Sequence, residues 1–355
     1  MRVLVKVQRF PGNPLITPAD VPPSREDFEV IGSFNAGVIR HGDEILMLMR
    51  VAERPVSKDP SVALVPVVEC SNEGARLRIR ELRRDDPSLN FSDPRVIGSP
   101  EGMLLTSISH LRLARSTDGR HFRVEEKPAL FPDLPSETFG MEDPRITRIG
   151  DTYYIVYKGV SPNGIVQSLA TTRDFVTYRK EGIVFCPENM DAMLFPEKVG
   201  GRYVALHRPV GAMLGGPMMW LAYGETPLCM GDHRFLLGRS SGGWDSGRVG
   251  GGAVPFLTER GWLEIYHAAT PEHHYCLGAL LLDRDEPHRI LAKTPEPIMR
   301  PEAPYETSGF MPNVVFTCGA LVDGDEVTVY YGAADEVMAG ATMSLSEILD
   351  ALEPL

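Results

Sequence analysis

A pattern of strand, glycine turn and second strand occurs five times along this chain, and each second strand ends in a polar or charged residue. The stretches are Val38–Arg50, Ile146–Lys158, Phe195–Arg208, Phe256–His267 and Val315–Asp335. Their turns carry Gly42-Asp43, Gly150-Asp151, Gly200-Gly201, Arg260-Gly261 and Gly324-Asp325. Glycine reaches the positive φ that tight hairpin turns need, which most other residues resist. Repeats of one strand-turn-strand unit point to a radial all-β array, and five copies predict a five-bladed β-propeller. In that arrangement the second strands are expected to line a central channel, so that their polar ends converge on one funnel.

The repeats span nearly the whole chain, so the 355 residues read as one domain, 1–355. With 34 Gly and 30 Pro, long helices are disfavoured and many short strands are favoured. Residues 1–30 hold Pro11, Pro14, Pro18, Pro22 and Pro23 and read as an N-terminal strand over Met1–Arg9 followed by an extended arm. The stretch from about 53 to 100 breaks the rhythm and reads as an insertion between blades, with strands at Val62–Glu69 and Leu77–Leu82 and a charged stretch at Arg83–Pro94. The next blade strand is expected at Leu104–Arg115. At the end of the chain, Ser344 as N-cap, Glu347 three positions later, and Leu345, Ile348, Leu349 and Leu352 at helical spacing predict a short amphipathic helix. That helix and the arm are candidates for contacts in a homo-oligomer.

The net charge of -12 argues against nucleic acid or an anionic membrane as partner. No apolar run approaches the ~18 residues of a membrane span. The five scattered cysteines have no CxxC pairing, and the start lacks a signal peptide's apolar core. Together these predict reduced thiols in a cytoplasmic protein. His273-His274 has no neighbouring Cys or HxxxH, so no metal site is read there. The methionines of Met218-Met219-Trp220 read as core filler, as do Tyr330 and Tyr331.

Glu142-Asp143-Pro144-Arg145 just precedes a repeat strand. An Asp-Pro turn explains it structurally; a carboxylic acid fixed beside a rigid proline, able to protonate a leaving glycosidic oxygen, explains it chemically. His207-Arg208 ends a strand, and Arg50, Lys158 and His267 stand at corresponding points of other repeats. Four basic groups around one axis in an acidic chain predict an anion site, with an arginine fork suited to phosphate or carboxylate. Asp335, after two small residues, is placed to grip sugar hydroxyls.

At these residues the chain resembles glycoside hydrolase family 130, the β-mannoside phosphorylases and β-mannosidases. The resemblance rests on Phe34-Asn-Ala-Gly37, Arg50-Val51, Gly140–Thr147, Thr172–Phe175, Leu194–Lys198, Leu206–Pro209, Gly261–His267, Tyr305-Glu306 and Tyr330–Asp335, in that order. It implies a five-bladed propeller and inversion at the anomeric carbon. It also implies Asp143 as proton donor, relayed in the phosphorylases through the 3-hydroxyl of the bound mannose. Asn35, Arg50 and Asp335 match positions around the mannosyl unit, and Arg145, His207 and Asp191 are grouped with them as sugar-binding candidates. Arg208 and His267 match phosphate-binding positions, and Lys158 stands beside them.

One departure from the family pattern is Met190, where the phosphorylases usually carry Lys or Arg. Arg208, His267 and Lys158 together still make the leading expectation an inverting β-mannoside phosphorylase acting on β-1,2 or β-1,4 linkages, with inorganic phosphate as co-substrate and no other cofactor. It would release α-mannose 1-phosphate. The alternative is an inverting β-1,2-mannosidase, for which Glu264 and Glu225 are candidate bases; a third is a sugar-binding propeller without catalysis.

Overall fold

In a computed structural model, residues 4–211 and 213–355 are described, and they form an all-β protein with few helices. Each hairpin read from the sequence falls in its own group of antiparallel strands, although the third group's first strand ends at Leu194, before the expected Phe195, and Arg248–Gly250 precedes the hairpin of the fourth. The first group is Phe28–His41, Glu44–Pro55, Ile108–Ser116 and Arg123–Val124. The second, Gly140–Ile149, Thr152–Ser161, Gly164–Thr172 and Tyr178–Phe185, joins the first at one parallel pair, Gly140 with Ser109. The third is Asn189–Leu194, Tyr203–Pro209, Met219–Thr226 and Cys229–Leu237.

The fourth group runs from Arg248–Gly250 through Gly261–Ala269 and Tyr275–Leu282 to Ile290–Lys293, with Phe256–Thr258 paired to Gly261–Ala269. The fifth is Val315–Asp323, Glu326–Ala333 and Val337–Ser344, and its outer edge is supplied by Gln8–Arg9 from the start of the chain. The strand expected over Met1–Arg9 thus shortens to these two residues, residues 1–3 lying outside the described part.

Apolar residues on both faces of the strands join each group to the next. Leu46, Leu48 and Leu111 of the first group pack with Ile155 and Tyr157 of the second. Val156 and Leu169 pack with Leu194 and Ala205 of the third. Met193, Phe195 and Leu206 meet Trp262 and Tyr266 of the fourth, and Leu263 and Ile265 meet Val327 and Tyr331 of the fifth. Tyr330 and Met338 of the fifth group then pack with Met47 and Met49 of the first. Successive residues on one strand face opposite neighbours, which is why these strands read as continuous apolar runs. Met219, Tyr330 and Tyr331 are core residues, as expected.

The first strands of the first, second, third and fifth groups lie close to one another. Thr147 Oγ1 donates to the Leu194 carbonyl at 2.9 Å and Asn35 Nδ2 to Asp143 Oδ1 at 3.0 Å, each bond linking first strands of different groups. The second strands flank this inner layer and contribute their ends.

The irregular stretch contains the hairpin Val62–Ser71 and Gly74–Arg83, then a small sheet of Asn90–Asp93, Val96–Ser99 and Gly102–Leu105. Leu104 therefore belongs to that small sheet, and the main-sheet strand begins at Ile108. The C-terminal helix is Leu345–Asp350, with Ser344 Oγ accepting from the Glu347 amide. It is shorter than the pattern predicted because Glu353–Pro354 is drawn into pairing with Ile290–Lys293. The five cysteines are unpaired. Among the described residues no helix is long and apolar enough to cross a membrane.

Candidate active site

Three first strands are interrupted at the same point. The registers shift between Phe34 and Gly37, between Glu142 and Arg145, and between Met190 and Met193. In each bulge one polar residue takes a positive φ: Asn35 at 49°, Asp143 at 47° and Asp191 at 53°. A bulge inserts an extra residue and re-aims its side chain, and the left-handed conformation costs an L-residue energy that the surrounding sheet must hold. Asp335, at 53°, adds a fourth such residue. These side chains meet the ends of the second strands.

Asp143 is buried and crowded by cations. One oxygen accepts from Asn35 and stands 3.6 Å from Arg50 Nη1; the other is held by Lys158 Nζ in a short ion pair. Burial pushes the Asp143 carboxyl up, but Lys158, Arg50 and Arg145 outweigh it and hold it below the usual carboxylate range. Arg50 also binds Glu142 at 2.7 Å, donates to Ser109 Oγ at 3.1 Å and stacks on Phe34.

Asp191 is the hub beneath. It accepts from Arg208 Nε at 2.5 Å and lies 3.3 Å from His267 Nε2, 3.5 Å from Arg145 Nη2 and 3.7 Å from Lys158 Nζ. Gly250 keeps this space open: a Cβ there would fall 2.6 Å from Asp191 Oδ2, 2.8 Å from His267 Nε2 and 2.9 Å from Arg208 Nε. Burial lowers the His267 imidazole to about 4, against the opposing pull of Asp191, so it is neutral at physiological pH. Asp335 is pushed up by burial to about 6, opposed by Arg50. With Arg50 and Glu142 it lines a cleft of about 350 Å³, walled on the far side by Asp93, Arg95 and Phe310.

Asn35, Arg50, Asp143, Lys158, Arg208, His267 and Asp335 are thus brought together, whereas other candidates fall elsewhere. Arg145 is fully buried and its guanidinium is spent on the carbonyls of Asp143, Gly251 and Gly252, so no face of it reaches the cleft. His207 points to the opposite side of its strand from Arg208, where it stacks on Phe185 at 4.2 Å and meets His233 Nδ1 at 3.1 Å. Asp191 holds cations and is fully buried, so a sugar contact does not fit it. Glu264 is fully buried, accepts from the Gly252 amide at 2.9 Å, and burial pushes its carboxyl well above the usual range. Glu225 is exposed on the third strand of its group. Neither glutamate is placed to activate water in the cleft.

Two supporting turns carry a signal the hairpin pattern does not reveal. Pro135-Ser-Glu-Thr-Phe-Gly140 and Pro304-Tyr-Glu-Thr-Ser-Gly309 share the spacing Pro-x-Glu-Thr-x-Gly. Glu137 accepts from the Tyr157 hydroxyl and Glu306 from the Tyr331 hydroxyl, both at 2.7 Å. Each buried glutamate also takes a cation, Lys180 or Arg9. The turns therefore pin the second strands that deliver Lys158 and Asp335.

A carboxylate ringed by cations, beside a cleft with an aromatic wall, marks a protein that handles an anion and a hydroxyl-rich ligand together. The family model described as beta-1,4-mannooligosaccharide phosphorylase matches residues 104–354. The chain is 49% identical over 353 residues to a beta-1,2-mannobiose phosphorylase of Listeria innocua serovar 6a, covering 98% of this chain and 99% of that protein. It is 39% identical over 244 residues to a 1,2-beta-oligomannan phosphorylase of Thermoanaerobacter sp. (strain X514), covering 68% and 80%. The solved Listeria innocua beta-1,2-mannobiose phosphorylase, in complex with beta-1,2-mannobiose, superposes with a TM-score of 0.93 over 98% of this chain and 99% of that one. The chain belongs to glycoside hydrolase family 130.

Proposed function

We propose that this protein cleaves β-1,2-linked mannosides by inverting phosphorolysis. A phosphate oxygen bonds to the anomeric carbon from the face opposite the leaving oxygen, which takes a proton, and α-mannose 1-phosphate is released. The observation that carries this reading is the placement of Arg208 and His267 on Asp191, which Lys158 joins to Asp143, while Glu264 and Glu225 lie away from the cleft. The near full-length similarity to a β-1,2-mannobiose phosphorylase supports the linkage.

Asp143 serves as the proton source, with Asn35, Arg50 and Asp335 around the mannosyl unit and Arg208, His267 and Lys158 around phosphate. In the free protein Asp143 is ionised. Phosphate arriving at Lys158 competes for its charge, and sugar filling the cleft excludes water; both changes favour the protonated carboxyl. The five strand groups form a five-bladed propeller in this reading, supported by five apolar cores that join successive groups and return from the fifth to the first. The stretch from about 53 to 100 is an insertion in this reading, and its residues Asp93 and Arg95 border the cleft.

Incubation with β-1,2-mannobiose tests the reaction. Cleavage is expected to require phosphate and to yield α-mannose 1-phosphate; full-rate release of free mannose in phosphate-free buffer would overturn it. Arg208→Ala is expected to raise the KM for phosphate about 10- to 100-fold, the worth of a charge-assisted hydrogen bond, with a much smaller change for the mannoside. Glu264→Gln, which keeps the shape of a side chain buried away from the cleft, is expected to retain most activity. A collapse of turnover in that variant would bring the hydrolase reading back.

A further inference from the structure

The two glutamate turns share more than their spacing. In the second group, Glu137 accepts from the Tyr157 hydroxyl at 2.7 Å, from the amides of Asp133 and Leu134 at 3.0 and 3.3 Å, and from Lys180 Nζ at 2.6 Å. In the fifth, Glu306 accepts from the Tyr331 hydroxyl at 2.7 Å, from the amides of Glu302 and Ala303 at 2.7 and 2.9 Å, and from Arg9. Each time the cation reaches in from the outermost strand of its group, Tyr178–Phe185 for Lys180 and Gln8–Arg9 for Arg9. The start of the chain thus supplies the ionic half of a clamp whose other half lies some three hundred residues away.

Arg9 makes a two-pronged contact. Its Nε and Nη2 donate to the two oxygens of Glu306 at 2.7 and 2.9 Å, its Nη1 to Glu302 at 3.0 Å, and its Nη2 also to the Arg300 carbonyl at 2.7 Å. A planar guanidinium matches a carboxylate in this way and an ammonium does not. The Glu306 side chain is fully buried, and among the described residues Arg9 is the cation paired with it. Burial pushes the Glu306 carboxyl up, but Arg9, the two amides and Tyr331 outweigh it and hold it below its ordinary value of 4.5.

What Glu306 anchors is one side of the cleft. Tyr331 lies on the strand Glu326–Ala333, which leads directly into Ala334 and Asp335. Ala334 is bonded on both sides to the segment that follows Glu306: its carbonyl accepts from the Met311 amide at 2.8 Å and its amide donates to the Val314 carbonyl at 3.1 Å. The Val314 amide donates in turn to the Glu306 carbonyl at 3.1 Å. Gly309 packs so closely that a Cβ there would fall 2.6 Å from Ala334 Cβ. Phe310, within that segment, and Asp335 line the same cleft. One hydrogen-bonded unit therefore carries both, and its buried charge is Glu306.

We propose that Arg9 is a positioning residue for the mannoside: by clasping Glu306 it fixes Asp335 and the Phe310 wall at the separation the sugar needs. The inference rests on the reading of this cleft as the mannoside site. Arg9 itself touches no substrate. Without it a buried carboxylate loses its compensation, and either the segment 302–314 shifts to hydrate it or the carboxyl takes up a proton. Both changes loosen Tyr331 and, through it, Asp335. Asp191, Arg208 and His267 are held by one another in other strand groups, so the effect falls on the sugar and spares the anion.

The test titrates β-1,2-mannobiose at saturating phosphate, and phosphate at saturating mannobiose, for Arg9→Ala, Arg9→Lys, Tyr331→Phe and the double variant Arg9→Ala/Tyr331→Phe. Arg9→Ala is expected to raise the mannobiose KM about tenfold while the phosphate KM stays within about twofold. Arg9→Lys, which keeps the charge and loses the fork, is expected to fall between. Because Arg9 acts through Glu306 and Tyr331, its effect is expected to shrink to about twofold or less in the Tyr331→Phe background. A mannobiose KM within about twofold of the unaltered protein's, equal rises for both substrates, or independent effects in the double variant overturn the assignment, since a residue that only secures an edge strand produces no such split. If Arg9→Ala fails to fold, Arg9→Lys is read by the same criteria. Calorimetric binding of β-1,2-mannobiose separates the underlying reading: an unaltered protein that binds the disaccharide but cleaves it without phosphate overturns phosphorolysis and leaves the Arg9 effect on mannobiose readable, whereas one that does not bind it removes both.

Discussion

Asp143→Asn is expected to lower turnover by about 100-fold or more, the usual contribution of general acid catalysis, with little change in the thermal midpoint. The amide has the same shape and can keep its place beside Asn35, but it has no proton to give to the leaving oxygen. Steady-state rates on β-1,2-mannobiose at saturating phosphate check this, and a variant keeping more than about a tenth of the activity removes Asp143 from the proposed role. Asp143→Ala is a weaker test, because it also frees Lys158 and Arg50 from a buried partner.

The second large effect is on stability. Asp191→Ala is expected to destabilise the protein by about 3–5 kcal/mol, since removing one member of a buried ionic cluster strands the others without compensation. Burial raises the Asp191 carboxyl, but Arg208, His267 and Lys158 outweigh that and hold it well below its ordinary value of 3.8. A carboxyl lowered on folding stabilises at pH values above its unfolded pKa, and the contribution is lost as pH falls through the folded one. The destabilisation should therefore be full at neutral pH and shrink only in strong acid. Denaturant unfolding of both proteins across pH measures it; a loss under about 1 kcal/mol at pH 7 would mean that Asp191 does not organise the cluster.

The hairpins were legible because their chemistry is local. Glycine turns and β-rich runs lie side by side in the sequence, and the charged strand ends fall at a fixed point of each repeat. From them Arg50, Lys158, Arg208, His267 and Asp335 could be gathered before any coordinates. The bulges were not legible: nothing local shows that Asn35, Asp143 and Asp191 adopt positive φ, and without that the second strands looked like the inner layer. At His207 and Arg208 alternation was not applied: adjacent residues on one strand had to face opposite ways. Burial misled at Glu264 and Arg145, whose types suggest chemistry but whose surroundings close over them. The shared Pro-x-Glu-Thr-x-Gly turns were in plain view, and comparing the chain with itself at that spacing would have found them.

The edge strand Gln8–Arg9 has a consequence for synthesis. Its partners are Thr342 and Ala341, and Phe10 and Leu15 continue the contact with Gly340 and Met338. On the ribosome the leading segment therefore waits, unpaired, while some three hundred residues are added behind it. The apolar faces of the first group, Met47 and Met49 among them, wait with it for Tyr330 and Met338. Asp335 belongs to that same last portion, so the cleft is completed only when the seam is sewn. A nascent chain halted before its fifth group would hold Asp143 and its cations yet lack the carboxylate opposite Arg50, and it would present an open apolar edge to chaperones instead of a working enzyme.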